Sequence, residues 1–339
     1  IDVRSDQGRG YLLSILDTVA AAGVRLVRLD AVGYAVKTAG TTCFMTPETF
    51  DFIASFATLA REHGIQVLVE VHSYYREQVE IARRVDLVYD FALPPLALHA
   101  LYTGDGAALV RWLRERPRNA VTVLDTHDGI GVIDVGPDQT TRPGEEPRPG
   151  LLTPEQIDEL VDGIHTHSGG TSRQATGAAA SNLDLYQVNC AFYDALGGDD
   201  TKYLAARVIQ LLTPGIPQIY YVGALAGGND LDLLQRTGTG RDINRHNYTR
   251  AEIREKTQRP VVRSLLALCS WRNTLPAFDG DIDVQLDGSV LTLVRRGVHD
   301  PTASAKAVVD LATGRTTLSW QGPSGSATTS DLLTDPPQA

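Results

Sequence analysis

The 339 residues are short of several things, and each shortage removes a class of protein. There are three cysteines, Cys43, Cys190 and Cys269, far apart in the chain. That spacing suits neither a disulfide framework nor a zinc site, and it reads as reduced thiols in a cytoplasmic protein. No apolar run reaches ~18 residues, so no transmembrane helix is expected, and no signal peptide is legible. Basic charge is in deficit: 31 Lys and Arg face 41 Asp and Glu, a net charge of −10. That balance argues against nucleic acid and anionic membrane as partners. No glycine-rich phosphate loop or G-x-G-x-x-G follows a strand-like run, which makes a dinucleotide-binding sheet a poor fit. A starting methionine is also missing, since the chain opens on Ile1.

What is present is ordinary for a globular chain, 42% hydrophobic and 21% charged residues, with length for one large α/β domain and a smaller one. Residues 10–22 carry Leu12, Ile15, Leu16 and Val19 at helical spacing and stop at Gly23. An apolar run beginning at Val24 reads as a strand. Thr46-Pro47 opens a helix that ends near His63-Gly64, with Thr46 as the N-cap. Further strands are expected over 66–71, 87–91, 120–124 and 216–222, and helices over 76–84, 94–102, 106–116 and 202–212. Strands alternating with helices predict parallel βαβ units and a (β/α) barrel. Two regions break the alternation. Residues 129–197 are rich in Gly, Pro, Ser and Thr, with one helix at 154–165, and read as an excursion of a length that is usually functional or disordered. From Phe278 the pattern is all-β, with hairpin signals at Asp287-Gly288 and Thr313-Gly314. The expected division is barrel at 1–128, an inserted subdomain at 129–197, the last βα unit at 198–277 and a C-terminal β domain at 278–339.

Three stretches carry chemistry. In V-R-L-V-R-L-D-A-V-G-Y, Leu26, Arg28 and Asp30 share a strand face by the period of two. If Leu26 faces a core, a buried Arg28 keeps Asp30 ionised and aimed, as a nucleophile requires, or simply closes the strand with a salt bridge. In L-V-E-V-H-S-Y-Y, Leu68, Glu70 and His72 share a face. Burial would raise the Glu70 pKa and suit it to general acid work, or its carboxylate caps the next helix. In V-L-D-T-H-D-G, His127 and Asp128 follow a strand end, as a site or as a plain turn. Acidic groups at the carboxyl ends of three different strands make a joint pattern, because barrel enzymes draw their catalytic groups from that end.

These stretches resemble three sequence regions of glycoside hydrolase family 13, the α-amylase superfamily. Within it, R-L-D-A-V-G-Y, E-V-H-S-Y-Y, V-Y-D-F-A-L-P-P, L-D-T-H-D-G-I-G, A-A-A-S-N-L-D-L-Y-Q-V-N and G-R-D-I-N-R-H resemble the bacterial sucrose phosphorylases. The resemblance implies reversible phosphorolysis of sucrose to α-D-glucose 1-phosphate and fructose. It implies Asp30 as the nucleophile that forms a glucosyl-enzyme, Glu70 as general acid and then base, and Asp128 as the third carboxylate, with His127 beside it. Arg28 holds Asp30. Tyr34 and His72 match residues near the acceptor, Phe44 an aromatic residue at the site mouth near a homodimer contact. Leu185-Tyr186-Gln187 matches a mobile loop that exchanges fructose for phosphate, and Asp184 and Arg241 match residues placed there too. Neither calcium nor an organic cofactor is implied. Readings that stay open are a phosphorylase for sucrose 6-phosphate or glucosylglycerate, an α-glucosidase, and an inactive amylase-like binding module.

The superfamily's first region has no counterpart here, and five barrel strands are legible where a full barrel has eight. The expectation is therefore an amino-terminally truncated enzyme with an incomplete TIM barrel. Its open edges would leave unpaired N–H and C=O groups and bare apolar surface, so the chain alone is expected to be aggregated or molten, and inactive.

Overall fold

The computed structural model describes residues 1–138, 148–176, 187–323 and 325–338. They form two compact units, one of Ile1–Asp90 with Pro117–Val121, the other of Phe91–Arg116 with Thr122–Ala339.

The first unit alternates as the pattern predicts: α1 (Asp6–Ala21), β1 (Leu26–Leu29), α2 (Pro47–Glu62), β2 (Gln66–Val69), α3 (Tyr75–Ala82), β3 (Leu87–Asp90) and the start of β4 (Ala120–Thr122). Helix α1 begins before residue 10 because the Ser5 hydroxyl accepts the Gly8 N–H at 3.0 Å, and the chain turns at Gly23 with φ +80°. Thr46 occupies the N-cap of α2, with Pro47 behind it, but its hydroxyl lies 3.1 Å from that of Thr49 and does not cap the backbone. The strands pair in the order β1-β2-β3-β4, with β1·β2 and β2·β3 parallel. One face of this sheet packs on the helices. Val27, Leu29, Val67, Val69 and Val88 meet Leu16 of α1 and Ile53, Phe56, Ala57 and Ala60 of α2. Each large side chain buried there contributes roughly 1.5–3 kcal/mol. The Asn119 amide closes the return into β4 by donating to Ala82 O, Val85 O and Asp86 O at 2.9, 3.2 and 3.1 Å.

Two expectations are corrected here. Leu26 does not face a core: it is 42% exposed, and Arg28 and Asp30, on its face, are exposed too. Among the described residues β1 pairs only with β2, and it is Val27 and Leu29 that turn to the helices.

The second unit holds α4 (Leu93–Thr103), α5 (Ala107–Glu115), β5 (Ile130–Gly131), α6 (Pro154–His167), α7 (Thr171–Thr176), β6 (Gln187–Val188), α8 (Phe192–Ala195) and α9 (Asp200–Leu212). It continues with β7 (Ile216–Pro217), α10 (Tyr221–Ala224), α11 (Leu231–Thr237), α12 (Arg250–Lys256) and α13 (Pro260–Thr274). The strand expected over 216–222 shrinks to two residues. Pro217 has no N–H to give, Gln218 N–H donates to Thr122 O at 2.9 Å, and α10 starts at Tyr221. The strand expected over 120–124 likewise ends at Thr122. The excursion after residue 129 is more regular than its composition suggests. Thr153 and Gln156 form a reciprocal capping box at α6, and β5 pairs antiparallel with β6.

Five strands close the chain: β8 (Ile282–Asp287), β9 (Val290–Arg296), β10 (Ser304–Asp310), β11 (Thr316–Gly322) and β12 (Gly325–Thr329), an antiparallel meander in sequence order. Both hairpins form where the turn residues predict, with Gly288 at φ +55° and Gly314 at φ +75°. The Arg295 guanidinium is buried and ties β9 to Leu212 O at 2.9 Å and Phe278 O at 2.6 Å. Among the described residues no helix is long and apolar enough to cross a membrane.

Candidate active site

In the first unit the β1·β2 register sets the geometry. Arg28 pairs with Leu68 and Leu29 with Val69, so Asp30 and Glu70 follow at matching positions just past the carboxyl ends of neighbouring parallel strands. The ladder continues one step beyond the strand, since Glu70 N–H donates to Leu29 O at 3.0 Å. Neighbouring strands lie ~4.8 Å apart, and side chains at equivalent positions point to the same face. Arg28 Nη1 donates to Asp30 Oδ1 at 2.6 Å, and its guanidinium carbon stands 5.7 Å from the Tyr89 ring centroid. One oxygen of Asp30 is thereby engaged while its side chain stays 72% exposed.

Glu70 is the opposite case, with its side chain 10% exposed. Its Oε2 accepts the Ala31 N–H at 2.7 Å, and its Oε1 lies 3.6 Å from the Nε2 of buried His72. Ala31 reaches it because its backbone is left-handed, φ +47° and ψ +32°, a conformation that costs a non-glycine residue roughly 1–2 kcal/mol. The turn after Asp30 thus ties the Glu70 carboxylate to the Asp30 backbone. Tyr34 ends a short 3-10 turn, Val32–Tyr34, half exposed. Its ring lies 4.7 Å from that of Phe44 and carries the Lys37 ammonium at 5.1 Å. Gly33 permits this approach, because a Cβ there would stand 2.7 Å from the Phe44 ring.

In the second unit Asp128 comes six residues after β4 ends and is mostly buried. Arg241 Nη1 stands 2.9 Å from its Oδ1, an ion pair bent away from hydrogen-bond geometry, and Arg245 Nη2 is 3.7 Å from the same oxygen. His127 Nε2 is 3.7 Å from Asp128 Oδ2, with its ring half exposed. Arg245 Nε also donates to His127 O at 2.8 Å, and Asn244 Nδ2 donates to Thr126 O at 2.8 Å. The carboxyl end of β4 itself carries a carboxylate the sequence reading passed over. Asp125 is buried against Arg207 of α9, Oδ2 to Nη2 2.5 Å, and Arg207 also donates to the Tyr203 hydroxyl and to Gln210 Oε1. Gly129 must be glycine, since a Cβ would meet Val188 O at 2.8 Å.

The structure thus gathers Arg28, Asp30, Glu70, His72, Tyr34 and Phe44 in one unit and His127, Asp128 and Arg241 in the other. Gln187 was expected within a long loop. It lies in β6, opposite Gly131, and its Oε1 accepts the Gly129 N–H at 3.3 Å. Asp184, Leu185 and Tyr186 lie outside the described residues. Arg245 and Asn244 were missed although they sit in the same G-R-D-I-N-R-H block as Arg241. Asp125 lies within the L-D-T-H-D-G-I-G block, but nothing there points to Arg207, 82 residues further on.

No protein-family model matches the chain. Curated relatives do. A sucrose phosphorylase of Agrobacterium vitis is 56% identical over 322 residues, covering 95% of this chain and 64% of the relative. One of Bifidobacterium adolescentis is 52% identical over 343 residues, covering 99% of the chain and 67% of the relative. Among solved structures, the sucrose 6F-phosphate phosphorylase of Thermoanaerobacter thermosaccharolyticum superposes with a TM-score of 0.85 at 37% identity, over 97% of this chain and 64% of that one. The chain belongs to the sucrose phosphorylase family, within glycoside hydrolase family 13 and its TIM-barrel fold. It spans about two thirds of the length of these relatives.

Proposed function

We propose that this chain carries the catalytic carboxylates of a sucrose phosphorylase that converts sucrose and inorganic phosphate to α-D-glucose 1-phosphate and fructose by double displacement. One observation carries the reading: Asp30 and Glu70 sit in register past neighbouring parallel strands, the first gripped by Arg28, the second buried. A retaining enzyme needs two carboxyls ~5–5.5 Å apart, close to the spacing of neighbouring strands. Asp30, gripped by Arg28, attacks the anomeric carbon. Glu70 protonates the fructosyl oxygen as it leaves. A phosphate oxygen then attacks the anomeric carbon and displaces the Asp30 carboxylate, Glu70 takes the phosphate proton where one is left, and this second inversion restores the α-configuration. Asp128, braced by Arg241, takes the part of the third carboxylate holding sugar hydroxyls, with His127 beside it. Tyr34, Phe44, His72, Asp184, Tyr186, Gln187 and Arg241 are the residues proposed to handle fructose and phosphate.

The chain would then divide into barrel segments, 1–128 and 198–277, an inserted subdomain, 129–197, and a C-terminal β domain, 278–339. Homodimer contact near Phe44 and a cytoplasmic location belong to the same proposal. The three cysteines are free thiols, which suits a reducing compartment.

The test is to trap the intermediate in the intact gene product. Glu70→Gln incubated with α-glucosyl fluoride, whose leaving group needs no acid, should accumulate one glucosyl unit on the peptide that contains Asp30. A glucosyl unit on any other peptide, or none under conditions where fluoride is released, refutes the assignment.

A further inference from the structure

Arg241 and Arg245, which flank Asp128, come from one segment, and that segment ends on a histidine whose two ring nitrogens both meet carboxylates. Residues Gly240–Asn244 form a 3-10 turn from which Arg241, Asn244 and, one step on, Arg245 reach Thr126, His127 and Asp128. Side chains this long fix a carboxylate only if their backbone is itself fixed. At one end Ile243 does this. It is fully buried with Ala175 and Leu234, and its carbonyl accepts the Asp230 N–H at 2.7 Å. At the other end stands His246. Its Nδ1 lies 2.6 Å from Asp230 Oδ2 and its Nε2 3.2 Å from Glu252 Oε1, and the Tyr248 ring lies 4.4 Å away.

Both carboxylates are already committed on their other oxygen. Asp230 is the N-cap of α11 and its Oδ1 accepts the Leu233 N–H at 2.8 Å; Glu252 belongs to the capping box of α12 and its Oε2 accepts the Thr249 N–H at 2.6 Å. Burial alone would push the Asp230 carboxyl up, but the Leu233 N–H and His246 outweigh it and hold the group below its ordinary range. The Thr249 N–H does the same for Glu252, with His246 adding to it. Ionised carboxylates only accept hydrogen bonds, so a ring that satisfies both must carry a proton on each nitrogen. Arg236, which acts on Asp230, is a further charged neighbour of this cluster, and Tyr248 also faces Lys256 and Tyr221.

We propose that His246 is a positioning residue: as an imidazolium it pins the Arg241–Arg245 segment to the amino ends of α11 and α12, and so sets the grip of both arginines on Asp128. It touches no reacting atom in this assignment. The inference rests on the proposed part of Asp128 in catalysis, and two separate measurements keep the two apart.

The first needs no activity. A two-dimensional proton–nitrogen spectrum of the 15N-labelled intact gene product should show both His246 nitrogens protonated at neutral pH, with Asp230→Asn or Glu252→Gln returning the ring to a neutral tautomer. A neutral ring in the unmodified protein overturns the proposal. The second is kinetic. His246→Ala should lower kcat for sucrose phosphorolysis about tenfold or more, move KM for sucrose less than threefold, and change the shape of the pH profile. His246→Lys, which keeps a cation able to reach Asp230, should recover part of kcat. A merely structural histidine would lower the melting temperature and the active fraction but leave kcat per titrated site and the pH profile unchanged, and that result contradicts the proposal. Failure of the unmodified protein to turn over sucrose would count against the proposed function, while the spectrum would still decide the protonation of His246.

Discussion

Two carboxylates in one strand pair have opposite surroundings, and the proposed roles of Asp30 and Glu70 rest on that difference. Asp30 is exposed and tied to Arg28 at 2.6 Å, whereas Glu70 is buried beside His72. Replacing Asp30 by Asn should therefore abolish turnover of sucrose and of α-glucosyl fluoride alike, because no glucosyl-enzyme can form. Glu70→Gln should lose sucrose turnover by a factor of ~10²–10⁴, the usual worth of a general acid, yet keep a measurable rate with the fluoride. Initial rates on the two donors check both. His72→Ala should depress phosphorolysis more than hydrolysis, since water needs no anion site, and the ratio of glucose 1-phosphate to glucose at fixed phosphate reads this out. Most of these residues were legible from local motifs. Arg28, Asp30, Glu70 and His72 lie within strand-end signatures a few residues long. What the motif could not convey is exposure: Leu26 looks like a core residue in sequence, but only Val27 and Leu29 meet the helices.

Elements were legible wherever their signal is local. Glycine at positive φ placed both C-terminal hairpin turns, and Thr46-Pro47 placed the start of α2. The misread elements are those decided by distant partners. The apolar run at 216–222 looked like a full strand, but only its first two residues are strand, because α10 starts at Tyr221 and sets Gly223 against a buried ion pair. That pair, Asp125 and Arg207, fastens the segment after β4 to α9, and neither residue announces it. Breaking one partner of a buried pair strands the other charge, which typically costs ~3–5 kcal/mol. Asp125→Asn should destabilise the intact gene product by about that amount, measured from urea denaturation midpoints at constant slope. Gly223→Ala should act similarly, since its Cβ would fall within 2 Å of Asp125 Oδ2. Wild-type stability in either variant would show that α9 is fastened by other contacts.

At the scale of the whole molecule, folding should be readable in its thiols. Burial pushes the Cys190 thiol up to about 12, while Cys43 is only partly buried. The thiolate is the reactive form, so at mildly alkaline pH an alkylating reagent should modify Cys43 rapidly and Cys190 only at the rate of global unfolding. Peptide mass spectrometry over time measures this, and rapid loss of Cys190 would mean that its surroundings open locally. The central claim, however, concerns a reaction. Incubation of the intact gene product with sucrose and saturating inorganic phosphate, followed by phosphorus and proton NMR, tests it directly. The account predicts α-D-glucose 1-phosphate and fructose in equal amounts. Formation of β-glucose 1-phosphate, or of free glucose without any phosphate ester, would contradict it.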